Sequence, residues 1–556
     1  MEKSMELKQR QMPRFNRKRI QVLLFAAVIF TRGYNGVVAT EHELCSEVGV
    51  NVLKDGGSAI DSAVATCICI GTVNFYASGI GGGGFMVHRA ANGETTVFDF
   101  REEAPAAAFT NMFVKDPMSA QLGGLSVAVP GELRGLELAH RKFGKLPWKR
   151  LFQPSIEIAR NGFRVNKAFE AKTKSTKAEI EKDPILQKLL APNGKLLVEG
   201  DWLKRPEFAR TLESIANEGA DVFYNGWIAD ELIKTINRTG GIVTHEDFQN
   251  YKAKESQPLI GSYRGLKVVS APPPASGAVL LSVLNVIENY SEFDKLNPLN
   301  THRLVEALKH GYAERGFYGD PIDPIYRNIT SIANYFSSKQ NGRELYKKID
   351  DTRTFPVEYY NPEFENTGNH GTMHMSILSK EGDAVALTST VNLLFGSKVV
   401  DPVTGIDDFS IPGVSNSFGL APSPYNYVHP GKRPQSSSAP VIIEKDGKVF
   451  IVSGASGGSH ITTSTAQSII RMIDLDSTAY EAVMAPRVHH QLLPDEVEIE
   501  SFIPKEVEEG LRERGHEIKK LKPTVYTSCV SSLKRLPSGL ILGAGDERKN
   551  GQASAY

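Results

Sequence analysis

HGTMHMSIL, at residues 370–378, is the run around which this chain is organised, and TSTVN follows it at residues 388–392. The apolar residues of the two runs roughly alternate, which is typical of β-strands. The residues EGD at 381–383 lie between the runs and are a turn signal. The pattern therefore predicts a hairpin with Thr372 at its start.

Thr372 is a candidate nucleophile, but only if the chain is cut before it. A threonine hydroxyl must give its proton to a base as it attacks, and a newly freed α-amine on the same residue can be that base. The small Gly371 exposes the carbonyl that the hydroxyl would attack, so an N-to-O acyl shift followed by hydrolysis would release the amine. A glycine turn followed by a β-branched residue is the ordinary alternative, and this pair alone does not separate the two.

The composition is that of a globular protein and gives no support for a nucleic-acid partner. The 556 residues include 64 basic and 64 acidic side chains, so the chain has no overall electrostatic bias. The length predicts roughly two to four domains. A small zwitterionic ligand would need only local charges.

The first 35 residues differ from the rest and indicate a secretory signal peptide. Basic side chains precede the apolar run Ile20–Phe30: Lys3, Lys8, Arg10, Arg14, Arg17, Lys18 and Arg19. The alternative is a retained signal-anchor, since no small-residue cleavage site stands out. In both cases the body is expected to face the secretory lumen, either secreted or anchored with its catalytic part outside. Sequons at Asn237, Asn289 and Asn328 agree with this location.

The four cysteines are too few and too scattered for a disulfide scaffold or a zinc site. Cys45 opens one predicted helix, residues 44–53, and Cys69 lies near the end of the next, residues 58–73, which begins with a Ser58-x-x-Asp61 capping pattern. An antiparallel helix pair could bring these two together in an oxidising compartment. Two buried thiols are the alternative.

Upstream of Thr372, two features could approach a ligand. Four consecutive glycines at 81–84 permit close backbone approach, but no Gly-Lys-Ser/Thr follows, so a phosphate loop is not favoured. Arg101 ends a predicted strand and could clamp a carboxylate, or form a surface ion pair with a neighbouring glutamate. No domain boundary is visible around residue 371, so a cut there would place the new terminus on an interior strand.

Downstream of Thr372, polar clusters offer binding groups. Residues 407–408 (DD) offer carboxylates for an ammonium group, and residues 436–438 (SSS) offer hydroxyls for a carboxylate, although both are also common in plain loops. Gly457-Gly458 precedes a predicted helix near His460, where backbone N–H groups could hold an oxyanion.

The segment GASGG at residues 454–458 also matches the Gly-x-Ser-x-Gly elbow of serine hydrolases. It lies between a predicted strand and a helix, and histidines follow it. A serine hydrolase that uses Ser456 is therefore a runner-up. It leaves the 370–392 stretch and Arg101 without a role.

Ten short segments, taken in order along the chain, resemble segments of the gamma-glutamyltransferases. The likeness runs from about Gly36 to Tyr556. The matching segments are residues 78–84, Arg101-Glu102, GTMH at 371–374, TSTVN at 388–392, FGS at 395–397, DDFS at 407–410, PQSS at 434–437, GASGG at 454–458, ITT at 461–463 and QLLP at 491–494.

The resemblance implies an α+β N-terminal-nucleophile hydrolase, a four-layer αββα sandwich made by one precursor that cuts itself. The large subunit would be residues 36–371 and the small subunit residues 372–556, together forming a heterodimer. The family also pairs the cysteines that match Cys45 and Cys69.

The resemblance further implies roles for individual residues. Thr372 would be the nucleophile and new amino terminus, and Thr390 the hydroxyl that supports its amine. The remaining roles are the α-carboxylate site at Arg101, Ser436 and Ser437, the α-ammonium site at Asn392 and Asp408, the oxyanion hole at Gly457 and Gly458, and a basic position near the site at Lys549.

The implied reaction is acyl transfer from glutathione or another γ-glutamyl compound to water, an amino acid or a dipeptide, without a metal or organic cofactor. One departure bears on it: between Ile406 and Asp407 the family has several further residues, including one that helps to bind the ammonium. Leu394 also replaces a common tyrosine. The alternative function is therefore a secreted homologue with weak or no turnover that acts as a binding or decoy protein.

Overall fold

The computed structural model describes residues 31–323, 325–326, 328–364, 371–399, 422–523 and 525–556. Most of the predicted signal, His370, the shortened loop at 405–407 and the pair Asp407-Asp408 lie outside these residues. The strands, in chain order, are β1 Thr31–Gly33, β2 Gly36–Thr40, β3 Gly83–Arg89, β4 Thr95–Asp99, β5 Phe163–Arg164, β6 Trp202–Leu203, β7 Lys254–Ser256, β8 Leu259–Tyr263, β9 Leu266–Ser270, β10 Gly371–Ser379, β11 Ala384–Asn392, β12 Val441–Lys445, β13 Lys448–Ser456, β14 Val488–His489, β15 Val497–Ile499, β16 Ile518–Lys520, β17 Cys529–Arg535, β18 Ile541–Gly545 and β19 Gln552–Ala555.

The α-helices are α1 Glu43–Lys54, α2 Ala59–Val73, α3 Glu132–Phe143, α4 Trp148–Asn161, α5 Lys167–Ser175, α6 Lys177–Ile180, α7 Pro184–Leu190, α8 Pro206–Glu218, α9 Asp221–Asn225, α10 Trp227–Arg238, α11 His245–Asn250, α12 Gly277–Ile287, α13 Pro298–Arg315, α14 Ile329–Phe336, α15 Lys339–Tyr346, α16 His460–Asp474, α17 Ala479–Met484 and α18 Lys505–Glu513. Within the described ranges, no helix has the length and apolarity that a membrane span requires.

Two seven-stranded sheets form the centre of the molecule. The first has the strand order β1-β18-β17-β13-β12-β9-β8, and the second has the order β19-β2-β10-β11-β3-β4-β7. Neighbouring strands in both sheets pair antiparallel. The hairpin predicted from the sequence is β10–β11, at the middle of the second sheet.

Apolar side chains fill the space between the two sheets and cover both outer faces. Val37, Phe85 and Leu378 of the second sheet pack with Val452 and Leu533 of the first in one cluster between the sheets. A second cluster joins α1 and α2 to the outer face of the second sheet, and a third joins α12, α13 and α16 to the first sheet. Apolar side chains are therefore buried between the two sheets and between each sheet and its outer helices. The result is the predicted four-layer αββα sandwich.

The alternation of side chains along β10 and β11 decides which residues face the inter-sheet space. Met373, Met375 and Ile377 pack in the helix-side cluster, whereas Leu378 belongs to the inter-sheet cluster. Because side chains alternate across a strand, the even-numbered residues, including Thr372, face the first sheet. Thr390 shares that face, since its register partner is Thr372.

The bond between Gly371 and Thr372 lies inside one interleaved fold. The second sheet places β10 and β11, which follow this bond, between β2 and β3, which precede it. The first sheet likewise places β12, β13, β17 and β18 between β1 and β9. The prediction that a cut would fall on an interior strand is confirmed.

Two helices beside the second sheet carry the predicted disulfide. Cys45 in α1 and Cys69 in α2 are bonded, with Cα atoms 5.4 Å apart, and Cys67 and Cys529 are buried free thiols. At the start of α2, the Ser58 hydroxyl accepts from the Asp61 N–H and the Asp61 carboxylate accepts from the Ser58 N–H. This reciprocal cap confirms the capping pattern predicted there.

The folded body begins before Gly36, where the sequence placed the end of the signal segment. Thr31–Gly33 forms β1, which pairs antiparallel with β18 at the edge of the first sheet. At least three residues assigned to the signal segment therefore belong to the sandwich in this structure.

Candidate active site

Thr372 and Thr390 face each other at the start of the hairpin. Their hydroxyl oxygens are 3.0 Å apart, and both residues are 97% buried. The Thr390 hydroxyl donates to the Gly371 carbonyl oxygen and accepts from the Asn392 N–H at 2.8 Å. Since a hydroxyl has one proton and two acceptor sites, the Thr372 hydroxyl must be the donor to Thr390. One hydroxyl thus contacts the candidate nucleophile and the carbonyl that it would attack.

Arg101 lies beside this pair through Asn392. Its Nη1 donates to Asn392 Oδ1 at 2.5 Å and is 2.6 Å from a Glu102 carboxylate oxygen. The Asn392 amide in turn donates to Glu102. The glutamate partner that the sequence offered is correct, but the expected surface location is wrong, because both side chains are fully buried. A buried, hydrogen-bonded ion pair holds the guanidinium in one place.

The segment Pro434–Ser438, which we call the serine strap, packs against the same arginine. Arg101 Nε donates to the Pro434 carbonyl at 3.3 Å and Nη2 to the Gln435 carbonyl at 3.5 Å. The strap is also held by the Ser436 N–H, which donates to the Pro274 carbonyl at 2.9 Å. The predicted carboxylate-binding residues Arg101, Ser436 and Ser437 are therefore brought together, while Asp408 lies outside the described residues.

Gly457 and Gly458 join the end of β13 to the start of α16. Their φ angles are +120° and +60°, and a Cβ on Gly457 would lie 2.1 Å from the Thr527 carbonyl oxygen. Only glycine fits such a turn. Among the described residues, no acceptor takes the N–H of either glycine, so both N–H groups can serve a ligand.

Lys549 is buried next to the Thr372 backbone. Its ammonium donates to the Thr372 carbonyl at 3.4 Å and to Ser456 Oγ at 2.7 Å, and lies 2.9 Å from the Glu41 carboxylate. Burial opposes the charge on Lys549, but the neighbouring acidic groups, Glu41 foremost, together outweigh burial and raise the pKa of the ammonium. Glu41 also accepts from the His374 N–H at 3.1 Å. The pair fixes the backbone of β10 on both sides of Met373.

Ser456 does not meet the requirements of a serine-hydrolase nucleophile. Its hydroxyl contacts Lys549, and no histidine contacts it among the residues that the structure describes. The downstream histidines have other partners: His460 with Glu498, His489 with Thr463, His490 with Asp495 and His516 with His302. The elbow motif therefore lacks its histidine base, and Lys549 beside it is held as an ammonium by Glu41.

The glycine run approaches backbone rather than phosphate. Gly83 and Gly84 begin β3 and pair with Thr390 and Ser389 of β11. A Cβ on Gly82 would lie 2.1 Å from the Thr390 carbonyl oxygen. The run lets β3 lie directly against the strand that carries Thr390.

Glu132 is a buried carboxyl behind the same strand. It accepts a hydrogen bond from the Ser389 hydroxyl, which is 2.7 Å from the Ser78 hydroxyl. Burial raises the pKa of Glu132 to about 7, although the bond from Ser389 acts in the opposite direction.

His302, Glu306 and His516 bring three potential metal-ligating atoms together. His302 Nδ1 is already hydrogen-bonded to His516 Nε2 at 2.7 Å, and His302 Nε2 is bonded to the Asp350 carbonyl at 2.8 Å. The Glu306 carboxylate accepts from Thr354 and Tyr360, each at 2.7 Å. These groups satisfy one another and form a polar link between α13 and the end of α18.

Comparison with known proteins agrees with this geometry. A family model described as gamma-glutamyltranspeptidase matches residues 45–556. Glutathione hydrolase proenzyme 2 of Schizosaccharomyces pombe is 44% identical over 543 residues, covering 94% of this chain and 87% of that protein. Among solved structures, a Bacillus halodurans cephalosporin acylase aligns over 99% of both chains with a TM-score of 0.83 at 24% identity.

A crystal structure of Helicobacter pylori gamma-glutamyltranspeptidase aligns with a TM-score of 0.54 at 34% identity, over 57% of this chain and 92% of that chain. These likenesses confirm the predicted N-terminal-nucleophile hydrolase fold. The matched range and the shared identity together show that this chain belongs to the gamma-glutamyltranspeptidase family.

Proposed function

We propose that this protein is a gamma-glutamyltransferase and glutathione hydrolase that makes its own nucleophile by cutting itself between Gly371 and Thr372. The observation that carries the proposal is the position of Thr390, whose hydroxyl binds both the Gly371 carbonyl and the Thr372 hydroxyl. The names of the relatives, glutathione hydrolase proenzyme and gamma-glutamyltranspeptidase, support it.

Self-cleavage begins with attack of Thr372 Oγ1 on the Gly371 carbonyl carbon. The acyl group moves from nitrogen to oxygen while the hydroxyl proton passes to the nitrogen, which leaves a free amine on Thr372 and an ester to Gly371. Water then hydrolyses the ester and releases the Gly371 carboxylate and the Thr372 hydroxyl. Thr390 donates to the carbonyl oxygen on which negative charge develops, so it stabilises the transition state.

Turnover uses the freed α-amine of Thr372 as the base. It accepts the hydroxyl proton while Oγ1 attacks the γ-carbonyl of the substrate, and the departing amine takes up that proton. The N–H groups of Gly457 and Gly458 hold the oxyanion. The γ-glutamyl ester then passes its acyl group to water or to the amine of an amino acid or dipeptide.

The substrate's glutamyl end is held by charge and hydroxyl groups. Arg101, Ser436 and Ser437 bind its α-carboxylate, and Asn392 with Asp408 binds its α-ammonium. Asn392 Oδ1 accepts from Arg101, so its second lone pair is the one that receives the ammonium. Since Glu102 offsets part of the Arg101 charge, the serine strap makes a large share of the carboxylate contacts.

The proposal is tested with a chromogenic γ-glutamyl anilide and with denaturing electrophoresis of the purified protein. We expect two fragments, the smaller beginning at Thr372, and anilide release that Thr372→Ala abolishes together with cleavage. Ser456→Ala is the control for the serine-hydrolase alternative and should retain Thr372-dependent release. An uncut chain with full activity would refute the mechanism, and a cut chain without anilide release would support the decoy alternative.

We also propose that the body matures in the secretory pathway. The basic and apolar leader supports this, as does the Cys45–Cys69 disulfide, since such bonds persist in oxidising compartments. Asn237 and Asn328 are exposed, whereas Asn289 is partly buried. Glycosidase treatment of the secreted protein should therefore release glycans from Asn237 or Asn328.

A further inference from the structure

Arg315, the last residue of α13, is buried and contacts the serine strap. Arg315 is 99% buried, and its Nη2 donates to Ser437 Oγ at 2.9 Å. The Arg315 carbonyl oxygen also accepts from the Gln435 side-chain amide at 2.7 Å. Two arginines thus hold one short segment: Arg101 bonds its carbonyl oxygens and Arg315 bonds a hydroxyl.

The contact from Arg315 sets the direction of the Ser437 hydroxyl. A hydroxyl can accept two hydrogen bonds but can donate only one. With a guanidinium N–H pointing at its oxygen, the Ser437 proton must point away from Arg315. Among the described residues no acceptor takes that proton, so the hydroxyl keeps its donor capacity for a ligand.

Ser436 differs from its neighbour in this respect. Its hydroxyl donates to Ser438 Oγ at 3.0 Å and accepts from the Ser438 N–H at 3.2 Å. A carboxylate can only accept hydrogen bonds. Of the two hydroxyls, Ser437 is therefore the one prepared to donate to it.

We propose that Arg315 is a positioning residue for substrate binding, which presets Ser437 as a hydrogen-bond donor to the substrate's α-carboxylate. This inference rests on the proposed function, because it requires that the serine strap binds the carboxylate. Arg315 acts through Ser437 and does not touch the reacting atoms. Its effect should appear in KM far more than in kcat.

The test is a double-mutant cycle with a γ-glutamyl anilide, using Ser437→Ala, Arg315→Gln and the double variant. Each single variant should raise KM by about 10- to 100-fold, the usual cost of one hydrogen bond to a charged group, with kcat within about 3-fold of the parent. Adding Arg315→Gln to Ser437→Ala should change KM by less than about 2-fold, because the hydroxyl that Arg315 orients is already absent.

Arg303→Gln is the matched control, since Arg303 lies on the same helix and bonds Asp351 at 2.8 Å, away from the strap. It should leave KM unchanged. Arg315→Lys keeps a cation and should restore part of the loss in KM. Self-cleavage into two fragments shows that each variant has folded.

The outcomes separate this inference from the proposed function. If Ser437→Ala leaves KM unchanged, the strap does not bind the carboxylate and this inference falls, while turnover of the anilide still supports the proposed function. If the parent protein shows no Thr372-dependent anilide release, the proposed function itself falls. If Ser437→Ala raises KM but Arg315→Gln does not, or if the two effects multiply in the double variant, only the role of Arg315 is overturned. Failure of both Arg315 variants to cut themselves also overturns it, because Arg315 would then be a folding residue.

Discussion

Thr390 uses every hydrogen-bonding position of its hydroxyl, so the orientation of this hydroxyl is fixed. It donates to the Gly371 carbonyl and accepts from the Asn392 N–H and the Thr372 hydroxyl. In the proposed self-cleavage, these bonds align the attacking oxygen with its target. After the cut, the same hydroxyl is available to the new amine.

Thr390→Ser keeps this hydroxyl and Thr390→Val removes it at nearly equal volume. We expect Thr390→Ser to cut itself at close to the parent rate and Thr390→Val to cut about 100-fold more slowly, the usual effect of losing one oxyanion donor. The measurement is a time course of fragment formation by electrophoresis. Equal rates for the two variants would show that the hydroxyl has no part in cleavage.

Glu132 makes stability depend on pH, because burial raises the pKa of this carboxyl to about 7 from 4.5. Between these two pH values the unfolded chain loses the proton and the folded chain keeps it, so stability falls as pH rises. The Glu132→Gln variant does not lose stability in this way, because a glutamine side chain does not titrate. Its free energy of unfolding should therefore rise relative to the parent by on the order of 3 kcal/mol from pH 4.5 to pH 7.

Urea unfolding in an uncut Thr372→Ala background measures this difference on a single chain. Glu137→Gln, on the same helix α3, is the matched control. A pH-independent difference between Glu132→Gln and the parent would contradict the assignment.

The site residues that could be predicted from the sequence have recognisable neighbours along the chain. The residues that were missed have partners that only the folded structure brings close. Thr372 follows a glycine at the start of a strand, and Arg101 ends one, so both could be identified. Glu41 and Glu132 have no motif, and their partners Lys549 and Ser389 are hundreds of residues away. An acid directly after the apolar run of β2 was the only available signal for Glu41.

At the scale of elements, the glycine run sets how closely β3 can lie against β11. Gly82→Ala would place a Cβ 2.1 Å from the Thr390 carbonyl oxygen, and the rigid backbone on both sides cannot move away. We expect a loss of about 3 kcal/mol or more and poor self-cleavage.

Gly240→Ala is the control for this clash, because Gly240 has a φ of +90° and no atom within 4 Å of the added Cβ. It should cost only the backbone strain, about 1 to 2 kcal/mol, and leave cleavage intact. Unfolding midpoints together with fragment yields measure both effects. Normal cleavage in Gly82→Ala would contradict the role of the run.

Most elements could be predicted because their signals are local. The Ser58–Asp61 cap and the alternation in β10 and β11 each lie within a few residues, and the structure confirms them. The strand order could not be read from spacing, since β10 pairs with β2 across more than 300 residues. The family resemblance supplied the four layers but not the order of the strands within each sheet.

At the scale of the whole molecule, the two parts on either side of residue 371 cannot form separate bodies. Each sheet contains strands from both parts, so cutting the chain removes one peptide bond and no strand pairing. We expect the two fragments to elute as one particle under native conditions and to separate only in denaturant. Size-exclusion chromatography followed by electrophoresis of the peak checks this. Separate native peaks would refute the shared sheets.

The Cys45–Cys69 disulfide affects the stability of the whole molecule, because it closes a loop of 24 residues in the unfolded chain. Cys45→Ser with Cys69→Ser should lower the free energy of unfolding by roughly 3 kcal/mol, mainly through the entropy of the unfolded chain. Chemical unfolding of the uncut Thr372→Ala chain, with and without this double substitution, is the measurement. Loss of anilide turnover without loss of stability would point instead to a role at the site.

Because the strands are interleaved, the cleaved protein cannot refold by the route that the single-chain precursor follows. The precursor assembles both sheets as a single chain, so every pairing forms by an intramolecular encounter. In the proposed cleaved form, a denatured molecule would consist of two polypeptides that must associate again before the central strands can pair. Renaturation then depends on dilution, and the working lifetime of the enzyme is governed by how slowly it first comes apart.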